Sequence, residues 1–114
     1  MRRIRTAALG LLLAASFVLA AEPKDCLDLS ARQDNDTHSP SGILVTINGY
    51  NHCSEDLDGS RCRFRVHALG PGGNVIASQS GRFGGTVASG GRVETKVFVA
   101  CDPDRVRSIS VEAQ

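Results

Sequence analysis

Polar and apolar residues alternate along most of the chain beyond residue 25. Between residues 62 and 69, Cys62, Phe64, Val66 and Ala68 share one parity, while Arg63, Arg65 and His67 share the other. Side chains of an extended strand point alternately to opposite faces, so this pattern predicts a half-buried strand. The same rhythm recurs over residues 26–32 (Leu27, Leu29, Ala31 against Asp28, Ser30), 42–50 (Ile43, Val45, Ile47), 92–101 (Val93, Val97, Val99, Cys101 against Arg92, Glu94, Lys96) and 106–113 (Ile109, Val111). A further strand is expected over residues 74–80. No stretch keeps the i, i+3, i+4, i+7 rhythm of an amphipathic helix for three turns.

The intervening segments carry turn chemistry. Gly70-Pro71-Gly72-Gly73 reads as a hairpin turn, because proline presets φ and glycine supplies positive φ. Polar loops are expected over 33–41 and 54–59, a glycine-rich connector over 81–91, and a break at Asp102-Pro103-Asp104. Short half-buried antiparallel strands of this kind stack as two sheets. The expected fold is therefore all-β, a six- to seven-stranded antiparallel β-sandwich, broadly immunoglobulin-like, with a closed barrel as the alternative. The central-strand tryptophan of antibody domains is absent, since the chain has no tryptophan.

The first twenty residues follow a different grammar. Arg2, Arg3 and Arg5 form a positive start, an apolar run extends from Ala7 to Ala21, and small residues follow Leu19. The run is too short for a spanning helix, which needs about 20 apolar residues. This is the pattern of a secretory signal peptide, with cleavage expected after Ala20 or Ala21. The expected organisation is a signal over 1–20 and one secreted or periplasmic domain over 21–114. Arg2-Arg3 lacks the flanking pattern of a twin-arginine signal. Cys26 lies too far from the small residues for a lipid anchor, so no stable membrane anchor is expected.

Removing the leader changes the charge. The chain has 13 basic and 12 acidic residues; three of the basic ones are in the leader, so the remainder carries a net −2. That balance argues against nucleic-acid binding by bulk charge. All four cysteines, Cys26, Cys53, Cys62 and Cys101, fall in the exported part, and an even count in a short exported chain reads as disulfides. The preferred pairing is Cys53–Cys62 with Cys26–Cys101; Cys62–Cys101 with Cys26–Cys53 is equally permitted by parity.

A resemblance follows from the order of segments. Asn48-Gly49-Tyr50-Asn51 ends one strand; Phe64-Arg65-Val66-His67-Ala68, a glycine turn, Val75-Ile76, a glycine-bearing gap and Val97-Phe98-Val99 come after it. Residues 42–113 resemble small exported bacterial sandwich domains of the FxLYD type. The family's Tyr-Asp pair before the turn glycine is replaced here by Ala68-Leu69. The resemblance implies an accessory or interaction role and brings no catalytic residues.

Candidate chemistry is sparse. His52 adjoins Cys53, but no cysteine pair has the spacing of a zinc knuckle. Glu55-Asp56-Leu57-Asp58-Gly59 faintly resembles a calcium loop but lacks the ligand at position twelve. Ser78, Ser80 and Ser89 have no Gly-x-Ser-x-Gly frame, and residues 70–74 lack the lysine of a phosphate loop. Asn35-Asp36-Thr37 matches a glycosylation sequon. No cofactor or metal is expected. Arg63, Arg65 and His67 on one strand and Lys96 on another would form a basic interaction face if the two strands were neighbours. The expected function is a non-catalytic binding or accessory module, not an enzyme, with an envelope protein or polysaccharide as partner. The alternative is a small secreted hydrolase or metal-dependent enzyme, which requires His52 to converge with Asp56 or Asp58.

Overall fold

The computed structural model describes residues 22–35 and 39–114. The leader over 1–20, the Asp36 and Thr37 positions of the sequon, and His38 lie outside the described residues. Among the described residues no helix is long and apolar enough to cross a membrane.

A short helical turn, α1 (Pro23–Cys26), precedes the strands β1 (Leu27–Gln33), β2 (Gly42–Asn51), β3 (Leu57–Asp58), β4 (Arg63–Leu69), β5 (Val75–Arg82), β6 (Thr86–Val87), β7 (Arg92–Ala100) and β8 (Ser108–Ala113). Two three-stranded sheets, β1-β2-β7 and β5-β4-β8, form the body, and β3 pairs with β6 as a small ribbon. Every pairing is antiparallel. At the open edges β1 runs beside β8, and β7 beside β5. The all-β, two-sheet expectation holds.

The core follows the alternation. Ile43, Val45 and Ile47 of β2 and Phe64, Val66 and Ala68 of β4 are buried, together with Val99 of β7 and Leu27 of β1. Val93, Val97, Ile109 and Val111 are half-buried and pack against them. Burial of each large aliphatic or aromatic side chain contributes about 1.5–3 kcal/mol. Three core residues come from outside the expected strands: Leu57 of the acidic loop, Phe83 and Val87. Phe83 and Val87 lie in the glycine-rich connector, yet both are buried. The Phe83 ring packs on Phe64 with centroids 5.3 Å apart and planes tilted by 56°. The connector is also shorter than expected, because β5 continues through Gly81 and Arg82.

The β4–β5 hairpin carries a bulge. Leu69 pairs with Val75, but Ala68 pairs with Ala77, so Ile76 is an extra residue on β5. Gly73 in the connecting turn has φ +80°, the conformation expected of a turn glycine. Beyond the bulge, Phe64 lies opposite Gly81 and Arg63 opposite Arg82.

The disulfide differs from the preferred expectation. Cys26 is bonded to Cys53, with Cα atoms 5.2 Å apart. Cys62 and Cys101 are free thiols, so neither Cys53–Cys62, Cys26–Cys101 nor Cys62–Cys101 forms. The cause is register. β1 pairs with its sequence neighbour β2, Leu27 opposite Asn51, and the His52 N–H donates to the Cys26 carbonyl. The chain therefore brings Cys53 to Cys26 just past the strand end. Cys62 follows a 3-10 turn (Gly59–Arg61) near that end, whereas Cys101 follows the end of β7 that pairs with Gly42. The two thiols thus sit toward opposite ends of the sandwich.

Asn51 organises the same end. It is fully buried. Its Nδ2 donates to the Glu55 carbonyl at 2.7 Å and the Val87 carbonyl at 3.1 Å, and its Oδ1 accepts from the Cys53 N–H at 3.0 Å. Its backbone N–H donates to Gly91 and its carbonyl accepts from Gly90. Asn51→Ala would remove the side-chain partner of the buried Val87 carbonyl and of the part-buried Glu55 carbonyl and Cys53 N–H. The expected loss is about 2–4 kcal/mol in denaturant unfolding. Joint replacement Cys26→Ser/Cys53→Ser is expected to cost about 3 kcal/mol. A change within experimental error for Asn51→Ala would show that the two loops are held by other contacts.

Candidate functional site

The outer face of β4 carries Arg63, Arg65 and His67. Arg65 Nη1 donates to Ser80 Oγ at 2.9 Å. The His67 ring bonds Ser78 Oγ through Nδ1 at 2.7 Å and faces Glu112 Oε2 through Nε2 at 3.3 Å. Both side chains are thus engaged with the neighbouring strands β5 and β8.

Lys96 is not part of this face. β7 belongs to the β1-β2-β7 sheet and β4 to the other, so the expected continuous stripe of Arg63, Arg65, His67 and Lys96 does not exist. Lys96 Nζ lies 3.0 Å from Oδ2 of the nearly buried Asp34. Nearby on the same sheet, the Arg92 guanidinium covers the Tyr50 ring at 4.8 Å from its centroid. Lys96 and Arg92 are thus held by partners within the fold.

Arg63 is different. It stands at the end of β4, directly opposite Arg82 of β5. Both are exposed, and neither side chain has a hydrogen bond or ion pair among the described residues. Two further cations join them around one depression of about 340 Å³: Lys24 from α1 and Arg61 from the 3-10 turn. Glu22 is the one carboxylate side chain on its lining, and Gln114 completes the rim. Arg61 and Arg63 flank the buried Cys62 and are both exposed. Lys24 lies two residues before Cys26, so the disulfide tethers its turn to the loop after β2.

Arg61 is positioned by the turn itself. Asp58 caps that turn, accepting from the Ser60 N–H at 3.0 Å and the Ser60 hydroxyl at 2.7 Å. These bonds, with the Arg61 charge as a smaller contribution, hold the Asp58 carboxyl below the usual carboxylate range. Gly59 permits the turn to close. A Cβ there would stand 2.5 Å from the Gly84 carbonyl oxygen, and the Gly59 N–H donates to Gly85 at 2.7 Å. The glycine suggestive of a calcium loop therefore serves a backbone approach.

The carboxylates of the acidic loop are engaged in holding it. Asp56 Oδ1 accepts from the Ser89 N–H at 2.9 Å, and the Ser89 hydroxyl donates to the Cys53 carbonyl at 2.6 Å. His52 turns instead toward Asp28 of β1, at 3.8 Å. The convergence of His52 with Asp56 or Asp58 required by the hydrolytic alternative is not formed. Among the described residues no group of three His, Cys, Asp or Glu is placed to hold a metal ion.

The strand alternation points to Arg63 but not to Lys24, Arg61 or Arg82. Arg82 fell two residues beyond the expected strand, and Arg61 was hidden at the end of a loop read as acidic. The hairpin offered the available signal, because strand length and register together decide what stands opposite Arg63.

Two outcomes follow from this geometry. Like charges directly opposite on adjacent strands destabilise a sheet by a few tenths to about 1 kcal/mol. Arg82→Gln is therefore expected to raise the unfolding free energy by about 0.5 kcal/mol at low salt, with the gain shrinking in high salt. A loss of stability would show that Arg82 is engaged in a structural bond. The free thiols give the second. Burial, reinforced by the nearby Asp58 charge, pushes the Cys62 thiol up, and burial with Asp102 does the same at Cys101, partly offset by a hydrogen bond from the Ile43 backbone. A raised folded-state pKa stabilises the fold at lower pH, and that contribution is lost as pH rises through the shifted value. A soluble thiol reagent at pH 8 should modify the half-buried Cys101 slowly and Cys62 only on unfolding; equal rates at the two would contradict the burial of Cys62.

No protein-family model, no curated protein and no solved structure matches this chain.

Proposed function

We propose that the chain is a non-catalytic binding or accessory module of an exported compartment, either periplasmic or secreted. The observation that carries this reading is the contrast between its charged groups. Asp56, Asp58 and His67 hold loops and strands together, whereas Lys24, Arg63 and Arg82 gather around one depression without side-chain partners among the described residues. Groups fixed in structural bonds are poorly placed for proton transfer, while clustered unneutralised cations are placed for recognition. The Cys26–Cys53 disulfide agrees with an oxidising compartment, and the arginine-led leader pattern agrees with export. The resemblance to small exported sandwich domains of the FxLYD type points to the same accessory role. The expected partner is an envelope protein or a polysaccharide.

Immobilised protein should retain an envelope component that elutes with salt. The charge-reversed Arg63→Glu/Arg82→Glu protein should lose that component while keeping its unfolding midpoint. Undiminished retention by the reversed protein would remove the cationic end from the reading.

A further inference from the structure

We infer that the depression formed by Lys24, Arg61, Arg63 and Arg82 is a binding site for the tetrahedral oxyanion esters, sulfate or phosphate, of an anionic polysaccharide. The inference rests on the binding-module reading and names its ligand class.

The strand register pairs two of these cations. Antiparallel partners lie about 5 Å apart at Cα, so Arg63 and Arg82 hold two guanidinium groups side by side at the sheet's end. No carboxylate side chain of β4 or β5 stands between them, since neither strand contains an acid. Mutual repulsion in the free protein becomes attraction once a shared anion sits between the two planar forks. Guanidinium groups match the oxygen geometry of sulfate and phosphate through paired N–H donors.

Two ordered turns frame the pair. Lys24 and Arg61 approach from outside the sheet, on turns fixed by the Cys26–Cys53 disulfide and by the Asp58 cap. The cations thus come from segments already ordered, which lowers the cost of fixing them around a ligand. Among the described residues, four cationic side chains and one carboxylate side chain face a space of about 340 Å³, a size suited to a sugar residue with its charged substituent.

The surroundings of the depression select among anionic partners. A membrane-surface site joins cations to exposed apolar side chains that enter the lipid. Among the described residues the two large exposed apolar side chains, Val75 and Phe98, lie elsewhere. Val75 begins β5 while Arg82 ends it, a separation of about 23 Å at strand rise, and Phe98 belongs to the other sheet. No aromatic side chain lines the depression, so the stacking on which single-stranded nucleic acids rely is missing. A concave cationic space whose one apolar lining residue among those described is Pro23 fits a hydrated, charged polymer.

The test is titration of the purified protein with dextran sulfate, with neutral dextran and phosphatidylglycerol vesicles as comparison ligands. Dextran sulfate is expected to bind, weakening as salt rises, and neutral dextran is not. Arg63→Gln/Arg82→Gln should weaken binding at least tenfold while its unfolding midpoint stays at or above that of the parent. The charge-matched Arg32→Gln/Arg92→Gln, on the other sheet, should change binding less than twofold. Equal weakening by both pairs overturns the inference, because bulk charge then explains the binding. Preference for the vesicles also overturns it. Absence of dextran sulfate binding with envelope capture intact removes the oxyanion-ester class alone, whereas loss of both removes the binding-module reading as well.

Discussion

The buried amide of Asn51 is the constraint on which the cationic end of this fold depends. A buried amide left unpaired is costly, so its position is tolerated only with partners in place. Both Nδ2 donors and the Oδ1 acceptor are satisfied by backbone groups of two irregular segments, the loop after β2 and the connector before β7. Neither segment has enough regular structure to hold itself. The disulfide fastens the first of them to the start of β1, and Ser89 fastens the second to the first. The cationic depression is built on this platform: α1 brings Lys24, the closing turn of the loop brings Arg61, and the sheet supplies Arg63 and Arg82.

That dependence divides the molecule into parts with different origins of order. The sheets are organised by apolar burial, with Ile47, Phe64, Val66 and Val99 fully inside. The end bearing the cations is organised by directional bonds. Hydrophobic burial tolerates substitution by side chains of similar volume. Hydrogen-bonded loops do not, because each removed partner leaves another group unpaired.

The same division explains what could be read from the residues. Strands β2, β4, β7 and β8 announced themselves because one face of each is buried, which forces the apolar residues onto one parity. The two-residue strands β3 and β6 carry too few positions to establish any period. Phe83 and Val87 entered the core from a glycine-rich stretch whose composition signals a loop. The disulfide was not legible because cysteine pairing follows strand register, and register is decided by contacts distant in sequence. Arg82 was missed for a related reason. An unbulged hairpin sets Gly81 against Arg63 and turns Arg82 to the face shared with Cys62; the extra residue Ile76 reverses this.

Ile76 thereby acts as a phase shifter between two halves of one hairpin. On the turn side, residues 69 and 75 keep one phase; on the far side the phase is moved by a single position, and Gly81 rather than Ser80 meets the Phe64 ring. The segment between Leu69 and Ala77 is consequently sensitive to parity rather than to length. Loss or gain of one residue there would drive a guanidinium toward the aromatic core, whereas a two-residue change restores the facing of every side chain. Variation in the length of this hairpin should be found in steps of two, even though its turn is exposed and rich in glycine.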